Sequence, residues 1–404
     1  MKASLRTSAL LIASLFSLVI FVSCHGSAKS GGSGYFVEYA INAEQLYIDG
    51  KKISDSEFSA LNEAAGELVR AIEREVSVEF DNSDISRINA AGAGESVRVG
   101  EHAYRMLLLC KNLYTLTCGK FTPALYNLSE LWGFSPDYEG RYNQSRPEPS
   151  SEDIAQALLN CNFDDLEILE DFTIVKRNAA LKIDLGGIAK GYMTDRLREL
   201  VEERYSGKRV EGSITVMSNT ILLGEFHESA NYSRPWKVGL DNPRALTTPY
   251  LQCMMMPSVV SAAYTTSSDM YRYYVNNGKI YCHIIDPETG KPSDRGMISI
   301  TVVVPAEVPD CGALADAFST AGFCMNLTET LDFYSNMYEA FGVSAIVICS
   351  DFNFYTVGDI EVLNLSEVSD KYTDIFTRAE ISDARDRIEI CEREREYISR
   401  CESL

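Results

Sequence analysis

The stretch Lys182–Leu197, KIDLGGIAKGYMTDRL, constrains the fold more than any other part of the chain. A short strand-like run ends in Asp184, two adjacent glycines follow, and an amphipathic pattern starts near Ile188 with Lys190 in its first turn. Glycines allow a tight reversal and let another group approach bare backbone. Ile188, Tyr192, Leu197, Leu200 and Val201 then recur at helical spacing and make one buried face. A helix N-terminus after such a turn attracts anions, and Lys190 adds a positive charge to it. Close packing alone produces the same strand–Gly–Gly–helix pattern in many α/β proteins, so the turn needs company before it means a site.

The rest of the periodicity mixes strands and helices. YFVEYAINA and QLYIDGKKI read as strands, while residues 56–76 and 98–118 carry apolar positions at helical spacing. Between them FDNSDISRINAAG reads as a polar surface loop in which Ser83 or Asp84 caps a turn. RYNQSRPEPSSED (141–153) is a linker that ends by capping a helix at about 152–160. LEILEDFTIVKRNAALKID gives two or three strands, with Asp184 at a strand end. Strands follow at 213–224, 236–240, 258–264, 270–276 and 279–285, the last running into the turn HIIDPETGKP. Strand ISITVVVP, helix CGALADAFSTAGFCM, helix 328–341 and strand VSAIVIC complete the body. The class is α+β, mixed sheets with packed helices, and there is no internal repeat.

The two ends differ from this body, which spans 36–362. Residues 1–23 read as an export leader: Lys2 and Arg6, an apolar run from Ala9 to Val22, and FVSC closing at Cys24. That run is short for a membrane span of about 20 residues. A Gly/Ser-rich tether (24–35) follows, resembling a bacterial lipoprotein whose Cys24 is lipidated, with an ordinary cleaved signal peptide as the alternative. Either way the chain is expected to be exported, and with the anchor it would sit on the periplasmic side of a membrane. Residues 363–404 form a charged helical extension, with Ile381, Ala384, Ile388, Cys391, Ile398 and Cys401 in one stripe among alternating Glu and Arg. Docking on the body, fraying, and pairing with a second copy as a homodimer are all open to it.

Bulk charge narrows the partners. A formal charge of −21 repels nucleic-acid phosphate, so no nucleic acid is expected. A small anionic ligand then needs a local cation or backbone N–H groups. The 11 cysteines are scattered without metal-ligand spacing, and with only 4 histidines a zinc site is not expected. Two further pieces could carry chemistry. Asp316 and Thr320 lie four apart on a helix, presenting a carboxylate and a hydroxyl on one face as an oxygen-seeking cation requires. The plain alternative is a threonine bonded to its own helix backbone beside a solvated acid. His283, ahead of two isoleucines, reads equally as a core histidine, and Asp286, Pro287, Thr289 and Gly290 as ordinary turn residues.

What raises these above their plain readings is that they occur together and in order, along with SDISRIN (83–89) and LWGF (131–134). The set resembles the FAD:protein FMN transferase family, the ApbE family of flavin-trafficking lipoproteins, over roughly residues 36–350; its most specific pieces are DLGGIAKGYMTDR, HIIDPETGKP and ALADAFSTA. The resemblance implies a T-fold-like ApbE architecture and a Mg²⁺-dependent enzyme. It would move FMN from FAD to a Thr or Ser hydroxyl of a target protein, an exported or membrane redox protein, and release AMP. Carried over by position, the metal ligands are the carbonyl of Gly187, the carboxylate of Asp316 and Thr320. Lys120, Phe121, Thr122, Asp184, Lys190 and His283 align with positions lining the flavin nucleotide. With Asp316, His283 is expected to be catalytic, taking the proton of the incoming hydroxyl or orienting it with a near-neutral pKa.

The chain departs from the family pattern in places. Met217, Ser218 and Asn219 replace a Gly-Gly-Asn turn, Thr122 replaces an acid after KF, and Ser268 replaces a glycine. VEYAINAEQ lacks the usual Met-Gly-Thr, and the aromatic preceding SDISRIN aligns with either Glu79 or Phe80. Competing readings are an FAD pyrophosphatase or periplasmic flavin reservoir and, in another class, a non-catalytic lipoprotein scaffold that recruits partners through its tail.

Overall fold

The computed structural model describes residues 20–21, 37–229, 232–244, 250–255, 261–364, 376–386 and 388–402, with backbone alone for 20–21, 250–255 and 363–364. The leader, Cys24 and the tether lie outside the described residues, except that Ile20–Phe21 runs parallel to Val238–Gly239.

A ten-stranded sheet forms the centre. Its long strands are β1 (Tyr39–Ile41), β2 (Val210–Val216), β3 (Asn219–Leu223), β4 (Ala262–Ser268), β5 (Met297–Pro305), β6 (Ser344–Cys349) and β7 (Asn353–Val357). They pair antiparallel in the order β7-β6-β5-β4-β3-β2, with β1 also on β2, Tyr47–Ile48 and Lys51–Lys52 beyond it, and Thr377–Arg378 parallel to β7 at the far edge. The unbroken apolar run of β5 follows from burial on both faces: Ile300, Val302 and Val304 face the helices, and Ile298 and Val303 face a second core with Trp236, Val238 and Phe354. A smaller sheet of Lys237–Asp241, Tyr250–Met255 and Glu361–Asn364 belongs to that second side.

The helices are α1 (Asp55–Val76), α2 (Asp84–Ala90), α3 (Glu101–Leu116), α4 (Tyr126–Trp132), α5 (Ser151–Leu158), α6 (Ala189–Arg204), α7 (Cys311–Phe323), α8 (Leu327–Phe341) and α9 (Glu392–Glu402). Reciprocal capping boxes start α1 at Ser54/Glu57 and α8 at Asn326/Glu329. Helices α6 and α7 cross where Gly191 meets Gly312; a Cβ on Gly191 would lie 2.0 Å from the Gly312 carbonyl oxygen. Only glycine at both positions permits this approach. Asp195 of α6 then caps α7, accepting from the N–H groups of Gly312 and Ala313 at 2.9 Å each.

Four expectations change. The polar loop at 83–90 is the helix α2, capped by Ser83 and held by buried Ile85 and Ile88. LKID is no strand: residues 181–185 pair with no strand, and Asn89 stands in for one, its amide accepting from Ile183 N–H and donating to Ile183 O at 2.8 Å each. The tail is not one helix: among its described residues Thr377–Arg378 is a strand, Ile381–Asp383 a 3-10 turn and Glu392–Glu402 an α-helix. It docks on the body through Phe376, Ala384, Ile388 and Ile398, while Ile381 is exposed. The strand expected at 258–264 is found at 262–268, residues 256–260 lying outside the described ones. The described cysteines, Cys110, Cys118, Cys161, Cys282, Cys311, Cys324, Cys349, Cys391 and Cys401, are free thiols.

Candidate active site

The glycine turn is fixed from three sides before any ligand is considered. Asn89 pins Ile183, Lys176 donates to the carbonyls of Asn89, Ala179 and Leu181 (2.9, 3.1 and 3.1 Å), and the Asp184 N–H donates to Pro123 O at 2.8 Å. SDISRIN and the loop after Lys120 therefore act as the frame of the turn. Asp184 closes it, Oδ1 accepting from Gly186 N–H at 2.9 Å. Burial pushes its carboxyl above the ordinary range, against the hydrogen bond from Gly186 and the cations Arg272 and Lys190.

Residues far apart in sequence meet here. A Cβ on Gly187 would lie 3.4 Å from the Phe121 ring and 3.7 Å from Thr320 Oγ1, so the bend abuts α7 directly. Asp316, almost wholly buried, accepts from Gly191 N–H at 3.1 Å on Oδ2, and the Lys190 ammonium lies 3.5 Å from the same oxygen. Lys190 also donates to Gly186 O at 2.5 Å. Thr320 gives its hydroxyl proton to Asp316 O at 3.1 Å, which leaves its oxygen lone pairs for another partner. The plain reading of Thr320, bonded to its own helix, is thus true and compatible with a ligand role.

His283 joins through the hairpin Tyr273–Asn276/Lys279–Cys282, its backbone N–H donating to Arg272 O at 3.0 Å. Its Nδ1 is buried with no hydrogen-bond partner, which leaves that nitrogen open to a ligand. Burial first, then the cations Arg272 and Lys190, push the imidazole down to about 3 rather than leaving it near neutrality. The expected near-neutral pKa is thereby corrected, and His283 is an uncharged base.

The other motif residues frame this centre. Lys120 pairs with Glu288 at 2.8 Å, Arg295 holds both Asp286 (2.6 Å) and Glu288 (2.9 Å), and Trp132 of LWGF donates to Gly290 O at 2.8 Å. These bonds lock the DPETG turn. Phe121 is buried against the glycine bend, whereas the Thr122 hydroxyl accepts from Ala124 N–H at 3.2 Å and serves its own turn. Met217 takes a left-handed φ of 52°; Ser218 and Ser268 line a small cleft with Asp241, Tyr264 and Thr266, and Asn219 accepts from Thr265. Sequence reasoning missed Arg272, which acts electrostatically on His283, Asp184 and Glu79 and stacks 5.3 Å over Tyr142.

Among the described residues no group of three or more His, Cys, Asp and Glu side chains could hold a metal ion. The oxygen set that does converge, one carboxylate, one hydroxyl and the glycine bend, suits a hard cation that draws its remaining ligands from water and a phosphate.

The ApbE family model matches residues 35–343. The chain belongs to the ApbE family. It is similar to an FAD:protein FMN transferase of Treponema pallidum, 25% identical over 303 residues that cover 73% of this chain and 79% of the relative. A second, from Haemophilus influenzae, is 24% identical over 330 residues, covering 76% and 82%. Among solved structures, the ApbE protein of Thermotoga maritima superposes with a TM-score of 0.63 at 27% identity, over 83% of this chain and 99% of its own. The flavin transferase ApbE of Vibrio cholerae shares the fold, with a TM-score of 0.59 at 22% identity over 77% and 89%. The ApbE match ends at residue 343, inside the central sheet, so β6, β7 and the segment from Phe376 to Glu402 all lie beyond it.

Proposed function

We propose that this chain transfers FMN from FAD to a Thr or Ser hydroxyl of a target protein, releasing AMP, and that it requires Mg²⁺. The observation that carries the reading is the meeting of Gly187, Thr320 and Asp316, beside Lys190 and an orphaned His283, from segments over a hundred residues apart.

The donor set fits Mg²⁺: the Gly187 carbonyl, the Asp316 carboxylate and Thr320 Oγ1 would hold it. When bound, the ion supplies charge neutralisation of the diphosphate and of the departing phosphate. The chain's own residues do the rest. Lys190 and Arg272 offset phosphate charge in a molecule whose formal charge is −21. The acceptor hydroxyl attacks the phosphorus on the flavin side of the diphosphate, the bridging P–O bond breaks, and AMP leaves with the bond's electron pair. His283 takes the hydroxyl proton as a neutral base. Phe121 and the glycine bend close one wall. Because protein oxygens alone do not complete the coordination sphere, metal and nucleotide are expected to bind as a linked pair. The same reading makes the protein exported and lipid-anchored at Cys24, with a redox protein in the same compartment as acceptor.

Incubation of the purified chain with FAD, Mg²⁺ and an acceptor bearing an accessible threonine should add one FMN mass to the acceptor and yield one AMP. Asp316→Ala should lower the rate by about 10²–10³-fold. FMN and AMP released equally without acceptor point to hydrolysis instead, and transfer undiminished in EDTA overturns the metal assignment.

A further inference from the structure

The tail outside the family match crosses the back of the site hairpin. Phe376 stacks on Phe352 with centroids 4.9 Å apart, and Thr377–Arg378 adds a parallel strand to β7. Ile388 then presses on Gly296, where a Cβ would lie 2.7 Å from the Ile388 Cβ. Helix α9 ends the path against Tyr273–Asn276: Cys401 Sγ lies 3.5 Å from Tyr273 Oη, and Glu402 accepts from Gly278 N–H at the hairpin tip.

At the centre of this contact is a closed ion cluster. The Arg244 side chain is 3% exposed and meets two carboxylates at once. It donates to Asp269 at 2.7 and 2.8 Å and to Glu394 of α9 at 2.6 Å twice, with the Tyr397 ring 4.8 Å from its guanidinium. Asp269 and Tyr273 flank Arg272, and the Arg272 carbonyl receives the backbone N–H of His283. The tail therefore grips both sides of the short segment that delivers Arg272 and His283.

We propose that Glu394 is a positioning residue for the nucleotide site: by completing the Arg244–Asp269–Glu394 cluster, the C-terminal helix fixes the segment 269–273 and, through it, Arg272 and His283. The proposal rests on the FMN-transfer reading for what the site binds, but not for the mechanical coupling. Removal of Glu394 leaves Arg244 paired with both oxygens of Asp269, one cation against one carboxylate, so no buried charge is left unpaired and the body keeps its fold. The consequence belongs to backbone order at the hairpin, and positional slack there weakens binding groups held remotely.

The test uses the full chain and three forms: wild type, Glu394→Ala and Glu394→Gln. Amide hydrogen exchange of residues 269–283 should quicken in Glu394→Ala while α1, α6 and α7 keep wild-type protection. The KM for FAD in the transfer assay, and the FAD dissociation constant measured with Mg²⁺, should rise about tenfold or more, and kcat should fall with them because His283 is held through the same segment. Glu394→Gln, which preserves shape and one acceptor, should recover most of the loss. It also carries the test if Glu394→Ala does not fold, by a smaller shift in the same direction. Unchanged exchange at 269–283, or faster exchange with unchanged FAD affinity, overturns the proposal. A wild-type chain that binds FAD but transfers nothing sinks the FMN-transfer reading instead, and leaves the exchange and affinity arms intact.

Discussion

At the scale of single residues, the site depends on His283 being neutral. Its imidazole is pushed down to about 3 by burial and by two cations, so in the free protein it carries no charge across the physiological range. A base already deprotonated gives no ionisation limb. The expected outcome is a kcat/KM for transfer that, between pH 5 and 8, shows no inflection attributable to His283, and a His283→Ala variant lying about 10²–10⁴-fold lower at every pH. An inflection near pH 6.5 that disappears in His283→Ala contradicts the assignment. Gly187, Asp316, Thr320 and His283 were named by the family resemblance that the order of the motifs carries, spacing alone leaving each of them its plain reading. Arg272 was not, since in the alternating run MYRYYVNN an arginine reads as a solvent-facing strand residue. What directs it at the site is the hairpin's placement, set by contacts with residues distant in sequence, such as Cys401 on Tyr273, 128 positions away, and Tyr142 under Arg272 itself.

At the scale of elements, the crossing of α6 and α7 sets the geometry of the metal ligands. Gly187 precedes α6 and Asp316 rides on α7, so the separation of the two helix axes decides whether both reach one ion. Gly191→Ala places a methyl 2.0 Å from the Gly312 carbonyl oxygen, and both are backbone-fixed, so the helices must part. A loss of about 3 kcal/mol in stability is expected, from overpacking, together with weaker FAD binding because Gly191 N–H also donates to Asp316. Gly207→Ala is the control. Its φ of 78° is strained for alanine but nothing lies within 4 Å, so a loss of about 1 kcal/mol and unchanged FAD affinity are expected. Equal losses in chemical denaturation for the two variants would mean that the crossing is not tight. The close approach of Gly191 to Gly312 was not legible in the sequence, which singled out only the adjacent Gly186 and Gly187. Where the sequence misled, a local pattern lost to a distant partner: α2 hides two buried isoleucines in a polar run, and LKID is held by an asparagine side chain where a strand would have been held by a ladder.

At the scale of the whole molecule, buried ionisable groups decide how stability varies with pH. Glu73 is 3% exposed, accepts from Val37 N–H at 2.6 Å, leaves its second oxygen unpartnered, and is pushed by burial from 4.5 to about 7. Asp195 is raised to about 6, and burial also raises Glu394. A carboxyl whose folded pKa exceeds its unfolded value makes the native state bind more protons, so its contribution shrinks as pH rises between the two values. His283 and His102, both lowered from 6.5 by burial, act in the opposite sense, losing stability as pH falls below 6.5. The two groups oppose each other between about pH 4.5 and 6.5, where the acids outnumber the imidazoles. Above that window the histidines are neutral in both states, and Glu73 alone among the groups with a stated value is still releasing its proton. From pH 6 to pH 8 Glu73 should cost about 1 kcal/mol, given about 1.4 kcal/mol per unit of pKa difference fully traversed, partly offset near pH 6 by the last of the histidines' opposing gain. Self-repulsion in a chain of charge −21 adds to the decline in the same direction. Urea unfolding of the wild type should therefore show a lower midpoint at pH 8 than at pH 6, and Glu73→Gln, which keeps the acceptor for Val37 but cannot ionise, should flatten that difference. A variant that declines as steeply as the wild type would place the slope elsewhere in the molecule, and a wild type indifferent to the change would mean that Glu73 is solvated rather than sealed beneath the first strand.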